Sequence, residues 1–291
     1  MAVIPSCPAL SVNIRVRGQP VEEYEPQEGE REPDSEIPTT CSFIEAQTGE
    51  NFAIYCSVVP DISFPQGSNA LIFQVHIDGH QIPSVALLKS DLKKNTIVRI
   101  KDIRVQEQGG ASMRYKFTFA SISTTDDEND DTITQDRQFC QDMGTIRVVV
   151  EWGTCTQEIY ESKRPSAIPI TSDSIIAEKA MKGKPLSHMT RFSLTNSSPS
   201  QAREPQCLTR SSGTLAIFKF KYSSRDVLKS QIFMPQGLRS DPPGNSTNFN
   251  HDQSIKQEVA GPGLHAGVTY GQSLNVFKDD DGREIIDLTG D

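Results

Sequence analysis

The chain has 291 residues, 35% of them hydrophobic, and 29 Lys and Arg against 38 Asp and Glu give a formal net charge of −9. That length suits one large all-β domain or two smaller ones, and the low apolar share leaves part of the chain outside any core. An acidic chain is poorly built to coat nucleic acid, which needs clustered Lys and Arg against phosphate, so direct nucleic-acid binding is not expected.

Most of the acidity lies in three runs, at 22–36, 126–131 and 279–281. The first two read as solvated loops. The opening residues carry no basic segment ahead of a long apolar stretch, and no run approaches the ~20 apolar residues of a membrane span. Neither secretion nor a membrane location is expected. The six cysteines, at 7, 41, 56, 140, 155 and 207, show no Cys-x-x-Cys spacing. Without a leader, that pattern argues against a zinc site and against disulfides, and for a reducing compartment.

In chain order, residues 10–16 alternate apolar and polar, the mark of a half-buried strand. Strands at 43–47 and 52–59 follow, around a turn at Thr48-Gly49-Glu50. Residues 71–77 and 81–88 flank Asp78-Gly79, and Asp-Gly between two such runs predicts a hairpin, because a type I′ turn needs positive φ at both central residues. Residues 97–105 and 113–119 read as a second hairpin across Gly109-Gly110. Further strands are predicted at 145–152, 189–194 and 215–222, the last with Phe218, Phe220 and Tyr222 on one face. Helix is scarce: 172–182, stopped by Gly183, and 224–230, capped by Ser223 or Ser224 and ended near Pro235. Residues 25–40 and 123–142 read as inserted loops. The sum is a mainly β protein, an antiparallel β-sandwich over 8–235 with one or two short helices. Residues 236–291 form a disordered tail, too poor in aliphatic clusters to offset the cost of ordering.

Several pieces of the body carry a family resemblance. They are Leu10-Ser11-Val12 with Gly18-Gln19-Pro20 and Tyr24, Ile44-Glu45-Ala46-Gln47-Thr48-Gly49 with Phe52-Ala53-Ile54, and Asp78-Gly79. Glu178-Lys179-Ala180-Met181-Lys182-Gly183 then leads into Ser187-His188, and Phe218-Lys219-Phe220-Lys221-Tyr222-Ser223-Ser224-Arg225-Asp226 with Leu228 comes last. In that combination the body resembles a family of uncharacterised fungal proteins with a numbered domain of unknown function. Ser223 stands where an arginine is usual in the family. The resemblance implies a fungal source and a β-rich domain, and implies no activity.

Catalytic signatures are missing. There is no Gly-x-Ser-x-Gly, no His-Glu-x-x-His and no glycine-rich phosphate loop ahead of a helix. His76 and His80 invite a metal, but the hairpin pairs Ile77 with His80 and His76 with Gln81, which sends the two imidazoles to opposite faces. His188 reads as a hydrogen-bonded structural residue. No metal, no cofactor and no enzymatic activity are expected. The basic residues of the last body strand alternate with its aromatics and read as a solvated edge.

The tail holds two motifs. Ile285, Ile286, Asp287, Leu288 and Thr289, behind an acidic lead-in, resemble a SUMO-interacting motif. An extended peptide can add a strand to an exposed sheet edge, with main-chain bonds giving affinity and alternate side chains giving specificity. Ile286 and Leu288 would enter an apolar groove, Ile285 its margin, and the acids would steer the peptide to a basic rim. Upstream, Ile255-Lys256-Gln257-Glu258 resembles the acceptor consensus for SUMO conjugation, with Lys256 presenting its amine and Ile255 and Glu258 holding the conjugating enzyme. The expected function is a non-enzymatic interaction protein of the nucleus or cytoplasm, the nucleus favoured, that binds SUMO and is modified by it. Its sandwich would serve a protein partner that the sequence does not name. Two alternatives stand beside it: a SUMO ligase-like or transcription-cofactor role, and a sandwich enzyme or small-ligand module with a pocket at Trp152 and His188.

Overall fold

Nearly every alternating segment of the body becomes a strand. The computed structural model describes residues 1–26, 36–92, 96–106, 112–126, 129–156, 175–195, 206–233, 266–270, 275–278 and 284–287. The chain opens with β1 (Ala2–Ile4), β2 (Cys7–Val16), β3 (Gln19–Pro20) and β4 (Glu23–Tyr24). Next come β5 (Thr39–Glu45), β6 (Asn51–Val58), β7 (Ala70–Ile77), β8 (His80–Gln81) and β9 (Val85–Leu88). β10 (Thr96–Ile100), β11 (Asp102–Gln106), β12 (Ser112–Ser121) and β13 (Ser123–Thr125) precede helix α1 (Asp130–Phe139). After β14 (Thr145–Thr156), β15 (Ile175–Ala177) runs into the short helix α2 (Glu178–Met181). β16 (His188–Leu194), β17 (Gln206–Ser223) and helix α3 (Arg225–Phe233) complete the body. Three short strands lie in the tail: β18 (Ala266–Tyr270), β19 (Asn275–Lys278) and β20 (Glu284–Asp287).

Two sheets face each other across one core. The first runs β1-β2-β6-β10-β20-β19, with β3 on β2 and the β12-β11-β16 group joined to β6. The second runs β4-β5-β17-β14-β7-β8, with β9 on β7 and β18 on β17. Pairing is mixed: β17 lies parallel to β5 and antiparallel to β14. Phe73, Phe117, Phe119, Phe218 and Phe220 are fully buried, and side chains of both sheets belong to one continuous cluster. Phe119 of the first sheet meets Tyr222 of the second with ring centroids 5.0 Å apart. Burying this much apolar surface is what drives the two layers together.

The Asp-Gly hairpin forms with the expected register, His76 opposite Gln81 and Ile77 opposite His80. Asp78 and Gly79 have φ of 51° and 78°, both positive as a type I′ turn demands. Elsewhere the structure corrects the sequence reading. The run at 97–105 is two strands, because the edge of β6 is shared: β10 takes Ile54–Val58 and β12 takes Phe52 and Asn51. The strand therefore breaks at Lys101, and of its two halves β11 alone pairs with β12. The region 123–142 is not all loop. It holds α1, whose Asn129 side chain accepts the N–H of Asp131 at 2.9 Å, with Asp130 and Asp131 in the favourable first turn. Among the described residues, the helix predicted over 172–182 is confined to α2; the two isoleucines ahead of it lie in β15, parallel to β13, with Ile176 buried. β-Branched residues are better accommodated there than in a helix. Cys155 is disulfide-bonded, contrary to the sequence expectation, while Cys7, Cys41, Cys56 and Cys140 are free thiols. Sequence spacing carries no information on which strands bring two thiols within bonding reach.

One glycine is fixed by contact. β14 changes register against β17 between Trp152 and Gly153. A Cβ on Gly153 would stand 2.7 Å from the carbonyl oxygen of Arg210 and collide with Cδ1 of Ile72. Gly153→Ala is expected to cost about 1–3 kcal/mol, the range of overpacking, measured as a lower urea midpoint with an unchanged slope.

Candidate functional site

The peptide singled out in the sequence takes part in the first sheet. β20 pairs antiparallel with β19, matching Phe277 with Ile285 and Val276 with Ile286. On its other side it lies parallel along β10, with Ile97 beside Ile285, Val98 beside Ile286 and Arg99 beside Asp287. Of the predicted motif, Ile285, Ile286 and Asp287 thus form an added strand. Leu288 and Thr289 lie outside the described residues, as do Lys256, Ile255 and Glu258.

The receiving edge has two contrasting faces. Val98 and Ile100 point into the core, whereas Ile97 packs with Ala53 and Tyr55 on the outer face of the sheet. Beside that patch, a hollow of about 550 Å³ opens on the same outer face. Its lining includes Arg15, Arg17, Arg99, Lys101, Arg114 and Lys116, and Asp102 is the only carboxylate among the described lining residues. The guanidinium of Arg15 lies 4.4 Å from the Tyr55 ring centroid and that of Arg99 lies 5.5 Å from it. These cation–π contacts hold two of the positive groups over one ring. Arg17 donates to both carboxylate oxygens of Glu50, which raises the guanidinium pKa and lowers that of the carboxyl. Sequence reading missed this cluster because its members come from separate strands. Only their outward register on adjacent strands brings them together.

A second assembly joins the pieces that carry the family resemblance. Asp78 is buried at the hairpin turn, where it accepts the N–H groups of Gly144 at 2.8 Å and Thr190 at 2.6 Å, and the hydroxyl of Tyr222. His188 has both ring nitrogens engaged, Nε2 with Thr48 Oγ1 at 2.8 Å and Nδ1 with Ser187 Oγ at 3.0 Å. Burial lowers its pKa. Ser187 Oγ also accepts the N–H of Ser224 at 2.7 Å, and the N–H of Ala46 reaches the carbonyl of Ser223. These side chains spend their hydrogen bonds on the backbone and on one another, so the assembly works as a joint between the sheets.

A larger hollow of about 710 Å³ beside this joint is lined by residues that include Cys140, Met143, Lys184, Lys221 and Tyr222. Neither hollow includes Trp152 or His188 in its lining. Trp152 instead packs on Phe64, with centroids 5.1 Å apart. His80 lies 5.6 Å from the Phe139 ring, and burial lowers the pKa of both His76 and His80. Among the described residues, no group of three or more His, Cys, Asp or Glu is placed to hold a metal ion, and no helix is long and apolar enough to cross a membrane.

The family model for a domain of unknown function, DUF7918, matches residues 9–237. The chain belongs to the DUF7918 family. The match takes in the joint, the basic hollow and the receiving edge β10, and it ends before β18, β19 and β20. No curated protein and no solved structure matches the chain.

Proposed function

We propose that this protein is a non-enzymatic interaction protein whose tail binds SUMO through Ile285, Ile286, Asp287, Leu288 and Thr289 and is itself modified at Lys256. The observation that carries the reading is the state of Glu284–Asp287: this segment adopts an extended strand and adds to a sheet edge through main-chain pairing. That is the physical act by which such a peptide would join a sheet edge of SUMO. Ile286 and Leu288 supply the apolar anchors, and Asp279, Asp280, Asp281 and Glu284 supply the acidic lead-in that a basic rim attracts.

Lys256 lies 29 residues before Ile285 in the sequence. Once β18, β19 and β20 leave their sheets, a chain of that length spans about 30 Å, which holds a conjugating enzyme carrying SUMO near the lysine at an effective concentration on the order of millimolar. Binding at the tail thereby promotes modification at Lys256, with Ile255 and Glu258 contacting the enzyme. The DUF7918 body serves a separate protein partner, and the nucleus, where conjugation is concentrated, is favoured over the cytoplasm.

The test is titration of labelled SUMO into the full chain and into the Ile286→Ala/Leu288→Ala variant. Loss of two anchors is expected to weaken binding about thirtyfold, and to slow Lys256 modification in a reconstituted reaction. Equal binding by the two chains would remove the tail as the SUMO site, and unchanged modification would remove the coupling.

A further inference from the structure

We propose that the basic hollow and the adjoining edge of β10 form a receptor site for an acidic, extended peptide, and that the chain's own tail is the ligand this site holds in cis. The inference does not depend on SUMO being a partner.

Charge is the first argument. The chain carries a net −9, yet six of its 29 Lys and Arg converge on one hollow with one carboxylate among its described lining residues. Arg15, Arg17, Arg99, Lys101, Arg114 and Lys116 are gathered around a space of about 550 Å³, with Arg17 also bound to Glu50. Gathering like charges is costly in a protein free to disperse them, and such clusters mark sites that meet anions.

The second argument is what lies next to the cations. β10 presents a strand edge, and a strand edge asks for main-chain N–H and C=O groups at peptide spacing. A sugar-phosphate chain cannot supply them. The same strand contributes Arg99 to the hollow and Ile97 to the apolar outer patch. A ligand that fits must therefore be extended, aliphatic at one position and acidic two positions later. β20 has that pattern in that register, Ile285 beside Ile97 and Asp287 beside Arg99. Four further acids, Asp279, Asp280, Asp281 and Glu284, precede Ile285 in the sequence.

A cis ligand has a consequence. Any acidic peptide arriving from outside must displace β20, and any partner of the tail must first draw it off β10. The site and the tail therefore mask one another, and the apparent affinity of each is its intrinsic affinity multiplied by the fraction of chains that are open.

The experiment adds a fluorescent peptide with the sequence of residues 278–291 to full-length chains. In one chain Ile286→Pro removes a main-chain donor and prevents β20 from pairing. The peptide is expected to bind this opened chain about tenfold or more tightly than the wild type, because the cis competitor is gone. Binding is expected to weaken as salt rises, and to be lost when Arg99→Glu/Lys101→Glu or, separately, Arg114→Glu/Lys116→Glu is added. Unchanged urea midpoints would show that these charge reversals leave the fold intact. Equal affinity for the wild-type and opened chains would overturn the cis contact. No binding to the opened chain, or binding indifferent to both charge reversals, would overturn the receptor site. Tighter binding of a single-stranded oligonucleotide of equal charge would overturn the peptide assignment. SUMO titrated into a chain that carries Arg99→Glu/Lys101→Glu alone, with Ile286 intact, reports on the tail motif separately, so the two readings can fail independently.

Discussion

Replacing Asp78 by alanine is expected to destabilise the fold by about 3–5 kcal/mol, although the residue sits in a two-residue turn. Asp78 is 4% exposed. Oδ1 accepts the N–H of Gly144 at 2.8 Å and of Thr145 at 3.3 Å, and Oδ2 accepts the N–H of Thr190 at 2.6 Å. The Tyr222 hydroxyl lies 2.7 and 2.6 Å from the two oxygens and 2.8 Å from Thr190 Oγ1. Alanine would leave three backbone donors and a phenol facing apolar surroundings, and would be strained at a φ of 51°. Asp78→Asn keeps the shape, one acceptor and the tolerance of positive φ, so about 1–2 kcal/mol is expected. Urea unfolding followed by Trp152 fluorescence measures both, and a loss below about 1 kcal/mol for alanine would show that the network does not hold the sheets.

The same residue sets a pH dependence. Burial pushes the Asp78 carboxyl up from 3.8 to about 6, outweighing the hydrogen bonds from Tyr222, Thr190, Gly144 and Thr145 that pull it down. The folded chain then binds a proton more tightly than the unfolded one. Its contribution is fully present below about pH 3.8 and is lost as pH rises through about 6, a swing on the order of 3 kcal/mol. The stability difference between the wild type and Asp78→Asn should therefore shift against the wild type across that window. A difference that stays flat from about pH 4 to 7 would mean that the carboxyl titrates in its ordinary range.

Phe119→Ala is expected to cost a similar amount, about 3–5 kcal/mol, for a different reason. Phe119 is fully buried, stacks on Phe52 at 4.4 Å and meets Tyr222 across the sheets at 5.0 Å. Its N–H reaches the carbonyl of Glu50 at 3.0 Å, and its carbonyl accepts the N–H of Gly49 at 2.7 Å. Truncation leaves a cavity where the two layers meet, and the backbone bonds on either side limit collapse into it. Phe119→Leu fills most of the space and should cost about 1.5 kcal/mol or less. A loss for alanine as small as for leucine would mean that the layers close the gap.

Alternation made most of the body legible. Residues 10–16 and 215–222 repeat with period two, and the structure places their apolar sets in the shared core. Asp78-Gly79 fixed a hairpin because its backbone geometry is local. What escaped the sequence was non-local. Nothing within 97–105 says that two strands must share the edge of β6, so the break at Lys101 could not be foreseen. The capping of α1 by Asn129 was visible in principle, as an Asn ahead of two acids, but the acidic run hid it. β18 and β19 have no apolar periodicity to announce them, since they are set by main-chain pairing with β17 and β20.

The tail divides along the same line. The order Ile285-Ile286-Asp287 and its acidic lead-in are properties of the sequence, because a peptide that binds by adding a strand carries its specificity in successive residues. The basic hollow on the body is a property of the tertiary structure. Arg15, Arg99, Lys101, Arg114 and Lys116 gather only once antiparallel pairing sets β2, β6, β10 and β12 side by side with their alternate residues turned outward. Strand periodicity is encoded over a few residues and survives in one dimension. The convergence of charge depends on which strands become neighbours, and burial of Phe117, Phe119, Phe218 and Phe220 between two sheets decided that.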